Sequence, residues 1–263
     1  MKNTRLTLVQ MRSVVGNPQS NYDSIEGFVR ANKDSDIVCF PEMCLSGYTS
    51  TDPARYAMDP NDPLLDRIRD LSKETDTAIV FGYIERMPDG LCLRQEICYG
   101  DESFFYRKSH LGIKEADLFT PGDSLPVFEI KGIMLGIHLC TESHIPDICS
   151  TFRKQGAELV LIPFANGISS ERRRQVWHSY LPARACDNGM FVAGCSAVGD
   201  NGTGTVFGGG LIALDPKGMV IDEYYGDDNH SITVEIGGPL PRDGPETMMN
   251  ISYFDRKRPE LYR

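Results

Sequence analysis

Apolar runs of strand length alternate with amphipathic stretches of helical length along almost the whole chain. This alternation constrains the fold more than any other feature, since apolar runs rich in β-branched residues predict strands and a period of three to four predicts helices. The predicted strands are 5–11, 36–42, 77–86, 91–100, 103–111, 132–140, 157–167, 190–199, 208–218, 219–226 and 231–236. The predicted helices are 21–34, 64–76, 144–157 and 170–189. Such alternation with additional strand pairs predicts an α/β sandwich rather than an all-parallel barrel.

The chain is expected to form one domain spanning residues 1–263, which is long enough for a sizeable core. The polar C-terminal stretch, about 250–263, is predicted to be an arm that packs on a partner chain. The segments "SDIVCFPE" (35–42) and "AELVLIPF" (157–164) each run through apolar residues to a proline, which indicates an internal pseudo-repeat. Pro182 is expected to kink or interrupt the last predicted helix.

The overall charge excludes two classes of partner. A net charge of −10 and a pI near 5.0 disfavour binding to nucleic acid or to an anionic membrane surface. No apolar stretch approaches the roughly 20 residues of a membrane helix, and residues 1–15 lack the apolar run of a signal peptide. We therefore expect a cytoplasmic protein whose eight cysteines, which include no CxxC pair, stay reduced.

Cys140 lies where a predicted strand gives way to a polar turn, within "GIMLGIHLCTESHIPD" (132–147). Three interpretations are open. A sharp turn could expose a nucleophilic thiol beside backbone N–H groups, or the cysteine could be a small buried hydrophobe. In an extended strand, alternation would instead place His138, Cys140, Glu142 and His144 on one face as zinc ligands, but the helix expected after Cys140 would break that alternation.

Charged residues also occur at the ends of other predicted strands. Glu42 follows a proline at the end of one apolar run, and Lys108 follows aromatic residues that could desolvate it, with Glu115 further along. A nucleophile needs a base and a group that stabilises developing charge, and a lysine between two glutamates would give each buried charge a partner. By contrast, the arginine-rich run at 171–174 is predicted to be a solvated helix face, with a phosphate or carboxylate site as the alternative.

These segments resemble those of the nitrilase, or carbon–nitrogen hydrolase, superfamily. "FPEMCLSGY" (40–48) is similar to its glutamate motif, and "YRKSHL" (106–111) to its lysine motif. "KEADLFTPGD" (114–123) is similar to the segment of its second glutamate, and "GIHLCTESHIPD" (136–147) to its cysteine motif. The order is the family's order, and the similarity runs over nearly the whole chain. The resemblance implies a four-layer α-β-β-α sandwich that assembles into a homodimer or a larger homo-oligomer.

The resemblance also implies hydrolysis of a non-peptide C–N bond in a small linear amide, giving a carboxylic acid and ammonia through a thioester at Cys140. Glu42 is then the general base, Lys108 stabilises the tetrahedral oxyanion, and Glu115 positions Lys108 or the substrate. Thr141 stands where true nitrilases often have tryptophan, which favours an amide over a nitrile, and its backbone N–H is expected to help bind the oxyanion. The residues expected to bind substrate are Tyr48, Thr141, Glu142, His144 and Asn166.

No metal or organic cofactor is implied. An alternative activity is that of an N-carbamoyl amidohydrolase, which would use the same four residues on a ureido group. An alternative of a different class is a binding or scaffold protein that kept the fold and lost turnover, since the residues after Cys140 depart from the family's usual pattern. The presence of all four reactive residues favours an enzyme.

Overall fold

The structure, a computed structural model, describes residues 2–237 and 254–261. These residues contain two six-stranded sheets and one two-stranded sheet. In spatial order the first sheet comprises β14 (His230–Ile236), β1 (Thr4–Gln10), β2 (Ile37–Cys39), β3 (Ala78–Met87), β4 (Gly90–Tyr99) and β5 (Glu102–Arg107). The second comprises β13 (Val220–Tyr224), β12 (Leu211–Leu214), β9 (Phe191–Ser196), β8 (Leu159–Phe164), β7 (Ile133–Ile137) and β6 (Val127–Ile130). The small sheet pairs β10 (Val198–Asp200) with β11 (Val206–Gly208), and the α-helices are α1 (Pro18–Ala31), α2 (Pro63–Thr75), α3 (Pro146–Lys154) and α4 (Ser170–Asn188).

The two large sheets face each other, and the helices cover their outer surfaces. One apolar cluster joins inward side chains of both sheets, for example Leu8 of β1 and Leu161 of β8. A second cluster packs α1 and α2 on the first sheet, and a third packs α3 and α4 on the second. The predicted four-layer α-β-β-α sandwich is therefore confirmed. Each sheet buries both faces, which explains the long unbroken apolar runs in the sequence.

The two large sheets repeat one topology. Strands β1, β2 and β3 run parallel, as do β7, β8 and β9, and antiparallel strands flank both triplets. The central strands of the two triplets, β2 and β8, come from the two segments whose sequences resemble each other, 35–42 and 157–164. The short pseudo-repeat thus marks equivalent positions in the two halves of the sandwich.

The elements differ from the predicted ones mainly at their ends. Helix α1 begins at Pro18, earlier than predicted, because the side chain of Asn17 accepts the N–H of Ser20 and caps the helix. Helix α4 continues through Pro182 without interruption, held on the second sheet by buried side chains such as Trp177 and Leu181. Strand β6 and most of β11 were not predicted, and β10 was merged with β9 in the predicted strand 190–199, since strands of three or four residues carry little periodicity.

The described part of the C-terminal arm contacts helix α3 of the same chain. The guanidinium of Arg153 lies 4.0 Å from the carboxylate of Asp255 and 5.7 Å from the ring centroid of Phe254. The remainder of the arm predicted at 250–263 lies outside the described residues, and its packing on a partner chain stays a prediction. In the described ranges, no helix is long and apolar enough to cross a membrane.

Candidate active site

The four reactive side chains predicted from the sequence meet at one edge of the sandwich. Glu42 follows β2, Lys108 follows β5 directly, and Cys140 follows β7. Loops at the carboxyl ends of parallel strands converge there, which is where α/β sheets generally place their binding sites. Glu115 reaches the same point from the loop after Lys108.

Lys108 lies between two buried carboxylates. Its Nζ donates hydrogen bonds to Glu42 Oε1 at 2.8 Å and to Glu115 Oε1 at 3.0 Å. The backbone N–H of Gly112 donates to Glu115 Oε2 at 2.6 Å, so Glu115 is held from two sides. Glu42 Oε2 is buried and has no hydrogen-bond partner among the described residues. That oxygen is the acceptor that the cluster leaves available for chemistry.

The charges in this cluster shift one another's proton affinities. Burial raises the pKa of Glu42 to about 7, against the opposing effect of Lys108. Burial alone would lower the pKa of Lys108, but its interactions with the carboxylates of Glu42 and Glu115 and with the thiol of Cys140 outweigh burial and raise that pKa above its usual value. Glu42 can therefore exchange a proton near neutral pH while Lys108 keeps its positive charge.

Cys140 occupies a strained turn between a strand and a helix. Its φ of 44° lies in the left-handed region, which residues other than glycine rarely adopt. The short 3₁₀ helix Cys140–His144 begins there, and Ser143 Oγ donates to the carbonyl of Cys140 at 2.6 Å. This geometry agrees with the sharp turn predicted for a nucleophile, in which one strained residue is held by its surroundings.

The thiol of Cys140 depends on its neighbours to ionise. Burial raises its pKa to about 12 and Glu42 adds to this effect, whereas Lys108 and the backbone N–H of Ala165 oppose it. The free thiol is therefore protonated at neutral pH, and the thiolate is the reactive form. Ionisation of Cys140 therefore requires a base to take its proton, and Glu42 is a carboxylate that interacts with it in this cluster.

The alternative zinc site does not fit this geometry. Strand β7 ends at Ile137 and the chain then turns, so the alternation that would align the four ligands stops before Cys140. The ring of His138 is fully buried and stacks on Phe152, and burial lowers its pKa to about 4. Among the described residues, no group of three or more histidine, cysteine or acidic side chains is placed to hold a metal ion.

Glu142 lies behind the site rather than in it. Its fully buried Oε1 accepts hydrogen bonds from the hydroxyl of Tyr106, from the N–H and hydroxyl of Ser109, and from the N–H of His110. Its Oε2 accepts the N–H of Leu139 at 2.7 Å. Protein donors reach both oxygens of Glu142, so its contacts are accounted for within the fold, and the expectation that it binds substrate stays a prediction. Glu142 ties the segment of Lys108 to the turn of Cys140.

The other residues expected to bind substrate lie around the cluster. Tyr48 donates from its hydroxyl to Glu115 Oε1 at 3.3 Å. Asn166 follows β8, and its buried Oδ1 has no partner within the described part of the chain. Thr141 and His144 are exposed on the turn of Cys140, and the ring of His144 packs on a tyrosine of α4 with 4.4 Å between centroids.

The sequence analysis did not single out Arg173 within its arginine-rich run. Its run, 171–174, was predicted to face solvent, and both neighbouring arginines do, but Arg173 is 0% exposed. It shares the buried stripe of α4 with Trp177 and Leu181, and its Nη2 donates to the backbone carbonyl of Asn166 at 2.8 Å. The spacing of four residues from Arg173 to Trp177 and Leu181 was the signal that could have identified it.

Comparison with known proteins places this geometry in a family. A sequence profile of the carbon–nitrogen hydrolase family matches residues 5–236. An (R)-stereoselective amidase from Pseudomonas sp. is 26% identical over 237 residues, which cover 88% of this chain and 85% of that protein. A hydrolase in the pqqF 5′ region of Pseudomonas protegens is 32% identical over 238 residues, which cover 87% of this chain and 80% of that protein.

Solved structures of an amidase from Nesterenkonia sp. AN1, a nitrilase-superfamily protein, share the fold. Its cysteine-to-alanine variant in complex with butyramide matches with a TM-score of 0.81 and 26% identity, covering 98% of this chain and 95% of that chain. A glutamate-to-glutamine variant carries an acetamide moiety covalently added to its active-site cysteine, with a TM-score of 0.82, 25% identity and the same coverage. The sequence match, the fold and the assembled glutamates, lysine and cysteine agree: this chain belongs to the carbon–nitrogen hydrolase family.

Proposed function

We propose that this protein hydrolyses a small linear amide to a carboxylic acid and ammonia through a thioester at Cys140. The observation that carries the proposal is the cluster itself: a buried thiol beside a lysine that two glutamates hold by hydrogen bonds. The covalent adduct on the cysteine of the Nesterenkonia amidase supports the same chemistry here.

In the first half of the reaction, Glu42 takes the proton of the Cys140 thiol, and the thiolate attacks the amide carbonyl. The oxyanion that forms is stabilised by the ammonium of Lys108 and by the backbone N–H of Thr141, which is near the start of a helix and has no helical acceptor. Protonated Glu42 then gives its proton to the leaving nitrogen. The C–N bond breaks, ammonia departs, and the acyl group remains on sulfur.

In the second half, Glu42 is again a carboxylate and takes a proton from a water molecule that attacks the thioester. Collapse of this second tetrahedral intermediate releases the acid and returns the proton to Cys140. A pKa of about 7 suits Glu42 to this double duty, because a base that must also act as an acid works best near the ambient pH.

The positions of Lys108 and Glu115 support distinct roles for them. Lys108 keeps its charge throughout, so it acts as a fixed electrostatic group. Glu115 is held by Gly112 and Tyr48 as well as by Lys108, and we assign it the task of positioning the ammonium.

The substrate is proposed to be small, because Cys140 is only 5% exposed and Lys108 is fully buried. The butyramide bound by the Nesterenkonia amidase is a ligand of this size. We further propose, on the family resemblance, that the protein acts as a homodimer or larger assembly in the cytoplasm. Light scattering of the purified protein measures its oligomeric state. Fluorescence microscopy of the tagged protein in its source cells determines its location.

The test is ammonia release from a panel of short amides, N-carbamoyl amines and nitriles. Wild type should release ammonia from amides, Cys140→Ala should release none, and Cys186→Ala, which alters a partly exposed thiol on α4, should behave as wild type. Mass spectrometry of quenched reactions should detect the acyl group on Cys140. Activity retained by Cys140→Ala would refute the nucleophile assignment, and activity confined to N-carbamoyl compounds would favour the alternative substrate class. No turnover on a broad panel would favour the scaffold alternative.

A further inference from the structure

Helix α4 holds the turn of the nucleophile through two side chains that lie one helical turn apart. The hydroxyl of Tyr180 lies 2.8 Å from the hydroxyl oxygen of Ser143, a residue of the 3₁₀ turn that begins at Cys140. Nε of Arg184 donates a hydrogen bond to the backbone carbonyl of Ser143 at 3.0 Å. Residues at this spacing share one face of a helix, so both contacts come from the same side of α4. The turn of Cys140 is therefore anchored to α4 at Ser143.

The direction of the hydroxyl hydrogen bonds follows from the hydrogens available. Ser143 has a single hydroxyl hydrogen and donates it to the carbonyl oxygen of Cys140, which can only accept, at 2.6 Å. Tyr180 must then be the donor to the Ser143 oxygen. Burial raises the pKa of Tyr180 to about 12, so its phenol keeps that hydrogen at neutral pH. The result is a hydroxyl chain from Tyr180 through Ser143 to the Cys140 carbonyl, in which each group donates to the next.

The groups that form this hydroxyl chain are held in place by packing. The ring of His144 packs on that of Tyr180 with 4.4 Å between centroids, and the guanidinium carbon of Arg184 lies 5.8 Å from the Tyr180 centroid. Ser143 is fully buried. Hydrogen bonds shielded from water are electrostatically stronger than exposed ones, and bonds in series polarise one another. The hydroxyl chain can therefore act on the Cys140 carbonyl with a fixed geometry.

That carbonyl belongs to the peptide that carries the proposed oxyanion donor. A peptide unit is planar, and in its trans form the C=O of one residue and the N–H of the next point in opposite directions. The hydrogen bond to the carbonyl of Cys140 therefore sets the direction of the N–H of Thr141. It also draws electron density toward the oxygen, which makes this N–H a stronger donor. The φ of Cys140 is 44°, a strained value that persists only where the surroundings hold it.

We propose that Ser143 and Tyr180 are positioning residues for amide hydrolysis: the hydroxyl chain orients and polarises the Cys140–Thr141 peptide so that its N–H binds the oxyanion. This inference rests on the proposed function and adds two residues that act through the peptide rather than on the substrate. The hydroxyl chain stabilises the tetrahedral intermediates more than the bound amide, because the negative charge on oxygen exists only after attack. Its loss is therefore expected in kcat and not in KM.

The first test is the kinetics of butyramide hydrolysis. Removing an oxyanion donor costs about 100-fold or more in kcat, and Ser143→Ala keeps the N–H, so we expect a loss of about tenfold with KM within about twofold. Tyr180→Phe keeps the ring and should lower kcat about threefold, because it weakens the chain without breaking its last bond. The double variant should lose no more than Ser143→Ala alone, since Tyr180 acts only through Ser143.

Two control variants make matched changes away from the site. Ser150→Ala in α3 removes a hydroxyl that donates to the carbonyl of Asp147 at 3.0 Å, the same kind of bond to a carbonyl three residues earlier. Tyr99→Phe removes a phenol hydroxyl that donates to Asp76 Oδ1 at 3.2 Å. Both variants should keep the kcat and the KM of wild type.

A second test separates the oxyanion position from the thiol. Butyraldehyde adds to Cys140: the C–S bond forms, the thiol proton ends on the aldehyde oxygen, nothing leaves, and that oxygen takes the place of the oxyanion. Its affinity should fall about tenfold in Ser143→Ala, in parallel with kcat. Iodoacetamide alkylates Cys140 by forming a C–S bond and expelling iodide and the thiol proton, without an oxyanion. The rate of this alkylation and its pH dependence, followed by mass spectrometry of the Cys140 peptide, should match wild type.

Three results would overturn the proposal: an unchanged kcat in Ser143→Ala; a loss that appears in KM instead; or alkylation of Cys140 slowed as much as hydrolysis, which would mean that Ser143 positions the thiol. If wild type hydrolysed no amide, the proposed function would fail, and the aldehyde would judge the hydroxyl chain separately. Weaker butyraldehyde binding in Ser143→Ala and Tyr180→Phe would then support the chain. Equal affinity in all three proteins, or no adduct in wild type, would refute it.

Discussion

Replacing Glu142 by glutamine tests whether this residue is the bridge that the structure shows. Four hydrogen bonds reach its Oε1 and one, from Leu139, reaches its Oε2. Glutamine loses the negative charge and has one acceptor oxygen. The favourable orientation places that oxygen at the Oε1 position, and the amide NH₂ then faces the N–H of Leu139. The amide NH₂ and the N–H of Leu139 would then be two buried donors facing each other without an acceptor between them.

The magnitude follows from these contacts. A hydrogen bond to a charged group contributes about 1.5–3 kcal/mol, and a buried donor left without an acceptor costs about 1–3 kcal/mol. We expect Glu142→Gln to lower the free energy of unfolding by about 3 kcal/mol. For a chain of this size that corresponds to a Tm lower by about 6–12 °C. Amide hydrolysis should fall about tenfold or more, because the segments of Lys108 and Cys140 lose their link.

The assay is urea and thermal unfolding of wild type, Glu142→Gln and Glu129→Gln. Glu129 is exposed on β6, and its substitution should change stability by less than about 0.5 kcal/mol. A loss below about 1 kcal/mol for Glu142→Gln would refute the bridging role. If activity then fell through a higher KM at unchanged stability, that result would support the prediction that Glu142 contacts substrate.

Three further outcomes are expected. Hydrolysis should increase with pH through about 7, because Glu42 has a pKa of about 7 and must be deprotonated in the free enzyme to take the thiol proton; a kcat/KM profile flat across that range would contradict the assignment. Lys108→Met leaves the carboxylates of Glu42 and Glu115 buried without their cation, and should cost about 3–5 kcal/mol in urea unfolding. Adding Glu42→Gln and Glu115→Gln to Lys108→Met removes the unpaired carboxylates and should recover much of that loss. If stability is not recovered, the loss in Lys108→Met comes from packing rather than from the unpaired charges. Gly82→Ala should destabilise by about 1–3 kcal/mol, because its Cβ would lie 2.7 Å from a backbone nitrogen of the loop that carries Glu42. Gly27→Ala in α1 is its control: no atom beyond its immediate chain surroundings lies within 4 Å, so thermal unfolding should show equal or higher stability.

The layers could be predicted from the sequence because the signals that specify them are local. Strands β2 and β8 are buried on both faces, so their segments are apolar throughout. They can therefore be predicted as strands without knowledge of the elements that pack beside them. The same holds for Glu42 and Cys140, since a polar residue that ends such a run is conspicuous. The family motifs then supplied the layer arrangement, which strand–helix alternation alone leaves open between several sandwiches.

The sequence was least decisive where one residue type fits two environments. Glu142 beside a reactive cysteine reads equally well as a substrate contact or as an anchor, and only the donors from Tyr106, Ser109 and Leu139 distinguish them. An arginine within an arginine-rich run is predicted to be exposed, although the spacing of Arg173 from Trp177 indicates that the two share a buried helix face. Both cases depend on which segments lie opposite, and no local pattern records that.

The sequence by itself determined which segments become strands and helices and which four side chains bring reactive groups, because burial and residue chemistry are properties of the local chain. Only the tertiary structure decided how those groups behave. The pKa of Glu42 depends on its burial and on Lys108, which is distant in the chain, and the lack of a counter-ion at Arg173 depends on every element packed around it. Electrostatic energies depend on distances and on exclusion of water, and both exist only once the two sheets have closed on each other.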